Sequence, residues 1–236
     1  MNDDEENLQR EHIIPRGLTG SWTLLKASCR KCSQITRVFE RNSLENVYGS
    51  SRSAYHLRTK RPLPDAFPLI IKSNGVDTDI SLPIDKYGSV LCLLGYGLPA
   101  YIDKRKYSKG IDIKESYLIR SKGSELNDLA EELKTKSFSF KTSFVGQSFE
   151  RMIAKIAYGF TVFQYGLDKI SKSYVTPAIL GEVDDIGMWL GSISPTIGKE
   201  DIELKLIEKN KEVVAEIRLF GKLQVPTYIV VVGKLT

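Results

Sequence analysis

Histidine and cysteine are scarce in this sequence, which has two of the first and three of the second in 236 residues. Three cysteines, two of them in one Cys-x-x-Cys, argue against a disulfide framework and for a metal or redox use in a reducing compartment. No apolar run approaches the roughly 18 residues a membrane span requires, which excludes a helical membrane protein. A basic head with an apolar middle, the mark of a secretory signal, is also missing, since Met1 to Glu11 is polar and acidic. A cytoplasmic location is therefore expected. Internal repeats are absent. Apolar residues at 42% and charged residues at 27% describe an ordinary globular chain and exclude wholesale disorder.

What little histidine and cysteine there is gathers near the start. Glu11-His12-Ile13-Ile14-Pro15 runs into Gly17-Leu18-Thr19-Gly20 and then Cys29-Arg30-Lys31-Cys32. An acid, an imidazole and two thiols in so short a span suit metal-assisted phosphodiester hydrolysis, which needs a base for water and positive charge for the leaving oxygen. Adjacent residues at a strand end face opposite sides, so Glu11 can hold a metal ion while His12 holds water.

The charge pattern coincides with this motif. From His12 to Arg61 there are ten basic residues against two acidic ones, a local charge of +8, whereas Met1 to Glu11 carries −4. A segment of that kind attracts a polyanion, and Arg16, Lys26, Arg30, Lys31, Arg37 and Arg41 are the candidate phosphate contacts. A solvated basic face is the bland alternative.

Patterning predicts an α+β protein. A short strand ending at Ile13-Ile14-Pro15, a tight turn over 17–20, a strand over Trp22–Leu25 and a helix opened by Cys29 make an N-terminal ββα unit over 1–45. Ser, Arg and Pro enrichment marks 46–68 as a basic linker. Residues 69–236 then form a mixed α+β domain of unknown role, with apolar strands at 69–71, 90–94 and 117–119 and a helix over 126–134. Phe149, Met152, Ile153, Ile156, Ala157, Phe160 and Phe163 recur at steps of three and four, predicting a long core helix from Ser148 to Gly166. Alternation at 202–206 and 213–219, with the apolar run 228–232, predicts a C-terminal antiparallel meander. Arg151 and Lys155 read as the solvated edge of the long helix, Cys92 as a small core residue, and Trp22 and Trp189 as packing residues. His56, in a basic, Tyr-containing stretch, is not read as a functional residue.

The quoted N-terminal motif, with Ala27-Ser28-Cys29-x-x-Cys32, resembles the start of bacterial HNH-type endonucleases. Phe149-x-Arg151-Met152-x-Ala154-Lys155-Ile156-Ala157, Ile179-Leu180-Gly181 and Pro226-Thr227-Tyr228-x-Val230-Val231-Val232-Gly233 resemble later segments of the same group. The resemblance implies a ββα-metal fold with His12 as general base and Glu11 as ligand of Mg²⁺ or another divalent cation. Cys29 and Cys32 would be half of a structural Zn²⁺ site. The other half, an earlier Cys-x-x-Cys, has no counterpart here, so the unit is expected to be N-terminally incomplete. The family tends to have Gly where Thr19 stands, Asn where Ser21 stands, and His or Asn just after the second cysteine, where Ser33 and Gln34 stand.

The implied function is metal-dependent cleavage of nucleic acid, DNA ahead of RNA. A different class is also open, a catalytically silent nucleic-acid-binding or effector protein descended from such nucleases. In a third reading, 69–236 is an interaction or sensing domain.

Overall fold

The computed structural model describes residues 8–57, 59–73, 75–107 and 109–236. Most of the acidic lead-in, residues 1–7, and Arg58 of the basic count lie outside the described residues. In chain order the elements are β1 (Gln9–His12), β2 (Thr23–Ser28), α1 (Arg30–Asn46), α2 (Gly49–Ala54), β3 (Ala66–Ser73), β4 (Val76–Pro83), α3 (Ile84–Tyr87), β5 (Ser89–Tyr96), α4 (Ala100–Asp103) and β6 (Ile113–Ser121). They continue with α5 (Leu126–Glu132), β7 (Ser137–Phe140), α6 (Ser148–Tyr165), β8 (Ile170–Ser173), α7 (Thr176–Leu180), α8 (Ile186–Trp189), β9 (Leu190–Thr196), β10 (Ile202–Lys209), β11 (Glu212–Leu219) and β12 (Val225–Leu235). The class is α+β, with antiparallel sheets.

The largest sheet has the order β10-β11-β12-β8, and β9 shares the outer edge of β12 with β8. Its meander begins with a two-residue turn in which Asn210 and Lys211 both have positive φ, 52° and 66°, the backbone that matches hairpin twist. Val213, Ala215, Ile217 and Leu219 face inward along β11. Against them packs α6, whose Met152, Ile153, Ile156 and Ala157 are fully buried. Gly166 ends this helix with φ 87°, a positive value that glycine adopts without a Cβ penalty.

On its other side α6 meets α1 and the N-terminal hairpin. Ile13, Ile14, Leu18, Phe39 and Tyr48 belong to the same buried cluster as the α6 residues and Tyr228 and Val230 of β12. A smaller cluster, built on Leu69, Leu82, Tyr87, Val90 and Leu129, fills the space between the β4-β3-β7 sheet, α3 and α5. Among the described residues no helix is long and apolar enough to cross a membrane.

Several expectations meet a different structure. The span 46–68 contains α2, in which Ser50, Ser51 and Ser53 are buried. Ser50 Oγ accepts from Val90 N and donates to Val90 O, both at 3.0 Å, so short hydroxyls dock this helix on β5 where large apolar side chains would not fit. Pro68, the last residue of the expected linker, lies inside β3. Cys92 is half-buried, outside the core. The strand expected at Ile13-Ile14 ends at His12, because the two isoleucines turn inward into the core. Arg151 and Lys155 are not a solvated edge: Lys155 is 5% exposed, and the Arg151 guanidinium lies 4.9 Å from the Phe39 ring centroid and donates to Ile179 O. Helical period reveals the face of α6 on the sheet, but α1 covers the opposite face too.

Candidate functional site

The hairpin is built by its turn. A single 3-10 turn over Arg16–Leu18 follows Pro15, and Thr19 takes φ 63°, a left-handed value that glycine adopts without strain. Gly20 then passes so close to Ile14 that an added Cβ would sit 2.0 Å from Ile14 O. The chain returns as β2, antiparallel to β1, with Glu11 opposite Leu24 and His12 opposite Thr23. Cys29 caps α1, its Sγ accepting from Cys32 N at 3.3 Å.

This geometry brings some of the expected residues together and keeps others apart. Gln9 pairs with Ser28 and accepts from Ser33 Oγ at 3.1 Å, so the cysteine pair stands at the Gln9 end of β1. Glu11 and His12 occupy the other end. Among the described residues no three His, Cys, Asp or Glu side chains converge as a metal-ligand group. Two thiols at a helix start supply half of the four ligands a closed structural zinc site uses. The described residues therefore do not fit structural zinc by themselves.

Two residues outside the expected set complete the neighbourhood of Glu11. Lys155 Nζ, from α6, lies 2.6 Å from Glu11 Oε1 and 2.7 Å from Glu40 Oε1, and it also donates to His12 O. Glu40 comes from the side of α1 that faces α6. Burial pushes the Glu40 carboxyl up, Lys155 opposes that rise, and the Glu11 charge adds to it. The carboxylate expected to hold a catalytic metal is thus paired with an ammonium group. His12 Nδ1 is buried with no hydrogen-bond partner among the described residues.

Lys155 leaves a trace in the sequence. A helix that is apolar or small nearly all round is covered on both faces, and α6 has Ala154 and Gly159 away from its main stripe. A lysine within such a helix must find anionic partners.

Arg16, Lys26, Arg30, Lys31, Arg37 and Arg41 are all exposed. At 3.6 residues per turn, Arg30, Arg37 and Arg41 fall in one stripe on α1. It lies opposite Phe39 and Ser43, which are buried. Among the described residues none of these three arginines has an acidic partner within salt-bridge distance. His56 is exposed, with φ 51°.

An apolar cleft of about 400 Å³ opens beneath the hairpin turn, walled by Leu18, Tyr55, Leu57, Leu219, Phe220 and Leu223. Glu11, His12, Cys29 and Cys32 do not line it. Comparison with protein-family models, with curated proteins and with solved structures finds no match.

Proposed function

We propose that this protein binds nucleic acid, DNA in the first instance, through the phosphate backbone, with the β1-β2-α1 unit as the binding element and a cytoplasmic setting. The observation that carries this reading is the Arg30, Arg37 and Arg41 stripe, three exposed guanidiniums on one helix face with no acidic partner within salt-bridge distance among the described residues. Arginine forks match phosphate oxygens, and a helix-borne row of them positions a duplex without reading its sequence. Lys31 and Lys26 extend the positive surface.

The test is the salt dependence of duplex DNA binding. Each phosphate contact contributes about 0.9 to the slope of log K against log salt, so the triple substitution of Arg30, Arg37 and Arg41 by Gln is expected to flatten the slope by about 2.7. An unchanged slope would refute the role of the stripe.

A second reading, phosphodiester cleavage with His12 as general base, is favoured by the unpartnered Nδ1 of His12. Nicking of plasmid DNA in Mg²⁺ or Mn²⁺, lost in His12→Ala, would select it. Nicking that survives the substitution would remove His12 from the mechanism.

A further inference from the structure

The three oxygens around Lys155 come from separate places: Glu11 on β1, Glu40 on α1, and the carbonyl of His12 at the end of β1. Two carboxylates and a carbonyl are hard donors of the kind that bind Mg²⁺, Mn²⁺ or Ca²⁺. The group they surround is a cation with three N–H bonds, one for each oxygen. Its side chain is 7% exposed, while those of Glu11 and Glu40 are 19% and 18% exposed. Solvent thus reaches the acids more readily than the lysine.

We propose that this cage is a divalent-cation site whose resident is the Lys155 ammonium, and that Lys155 keeps metal ions off Glu11. A buried ammonium is removed from water at a cost that only close anionic partners offset, and both partners here are tied to the ββα unit. With both carboxylates ionised the cage keeps one negative charge in excess, which a divalent ion in place of the ammonium would cancel. Lys155 is tethered to α6 and needs no free ion, so it holds β1 and α1 together at any metal concentration. It is a positioning residue for this unit. The inference does not rest on nucleic-acid binding, since it concerns Glu11 and Glu40 and leaves the arginine stripe aside.

Mn²⁺ titration of the full chain at neutral pH, followed by electron paramagnetic resonance, tests it. Wild type and Glu11→Gln should bind the same amount of Mn²⁺, because Glu11 is closed to metal while Lys155 is present. Lys155→Ala should bind one extra Mn²⁺ per chain, lost again in Lys155→Ala with Glu40→Gln, and its thermal midpoint should rise as Mn²⁺ is added. A drop in bound Mn²⁺ in Glu11→Gln would overturn the proposal, as would a folded Lys155→Ala that binds no more than wild type. Where Lys155→Ala does not fold, Lys155→Gln, which keeps most of the side-chain length without the charge, replaces it in the same titration with the same outcomes.

Discussion

Ile13→Ala tests whether the N-terminal hairpin and the C-terminal sheet fold as one cooperative unit. Ile13 is fully buried just past the end of β1, and α6 passes close to it: a methyl on Gly159 would touch Ile13 Cγ1 at 3.6 Å, ordinary van der Waals contact. Truncation to Ala removes three carbons, about 2.4 kcal/mol of transfer free energy at ~0.8 kcal/mol each. The cavity left behind raises the cost into the range of about 2–5 kcal/mol. At about 2–4 °C per kcal/mol for a chain of this size, the thermal midpoint should fall by roughly 5–20 °C. The sequence supplies the probes, since its two tryptophans sit in the two regions in question. Trp22 stacks on Phe160 and Phe163 at 5.7 and 5.8 Å, and Trp189 stacks on Tyr174 at 4.5 Å. Urea unfolding of the Trp22→Phe and Trp189→Phe proteins, followed by fluorescence, should give one midpoint, and Ile13→Ala should shift both signals equally. A shift seen by Trp22 and not by Trp189 would refute the shared core and make the hairpin with α1 a separate module.

Glu150→Gln should alter how stability depends on pH. Burial pushes the Glu150 carboxyl above its ordinary 4.5, against a hydrogen bond from Tyr96. A raised carboxyl contributes stability that is fully present below its unfolded pKa and is lost as pH rises through the folded one. The variant keeps an acceptor for Tyr96 without the charge, so its advantage over wild type should grow above about pH 4.5 and then level off. Parallel stability curves for the two proteins between pH 4 and 8 would contradict this. Gly20→Ala places its Cβ against Ile14 O and should cost about 3 kcal/mol, the upper end of typical overpacking penalties. Denaturation at the wild-type urea midpoint would show that the turn relaxes freely.

The elements legible in the sequence are those whose period matches a single environment. The α6 stripe and the alternation of β10 and β11 each read against one neighbour, and the strand, turn, strand, helix order of the hairpin and α1 follows from Pro15, the glycines and the Cys29 cap. What escaped reading has two neighbours or almost none. Lys155 lies opposite the sheet, where helical period alone cannot tell water from α1. Its ion pairs join residues 144 and 115 apart in sequence, Glu11 and Glu40, and no local signal encodes such a distance. The edge strand β4, with Asp77, Thr78 and Asp79 exposed, carries too few apolar side chains to show its alternation. The serines of α2 resemble a linker in composition, yet their size is what admits close contact with β5. The candidate site was legible as a set of residue types. Its electrostatics were not, because the residue that neutralises Glu11 comes from the distant α6.

The ammonium of Lys155 also imposes an order of events on synthesis. The ribosome delivers His12 and its neighbours 143 residues before the lysine that will bond to the His12 carbonyl. At about 5–20 residues per second, that interval lasts roughly 7–30 s. In that interval Glu11 of the hairpin, and Glu40 once α1 has been made, lack the Lys155 cation, and Ile13 lacks the helix that covers it. The native contacts of the N-terminal segment with α6 can therefore form only after residues 148–165 have been made.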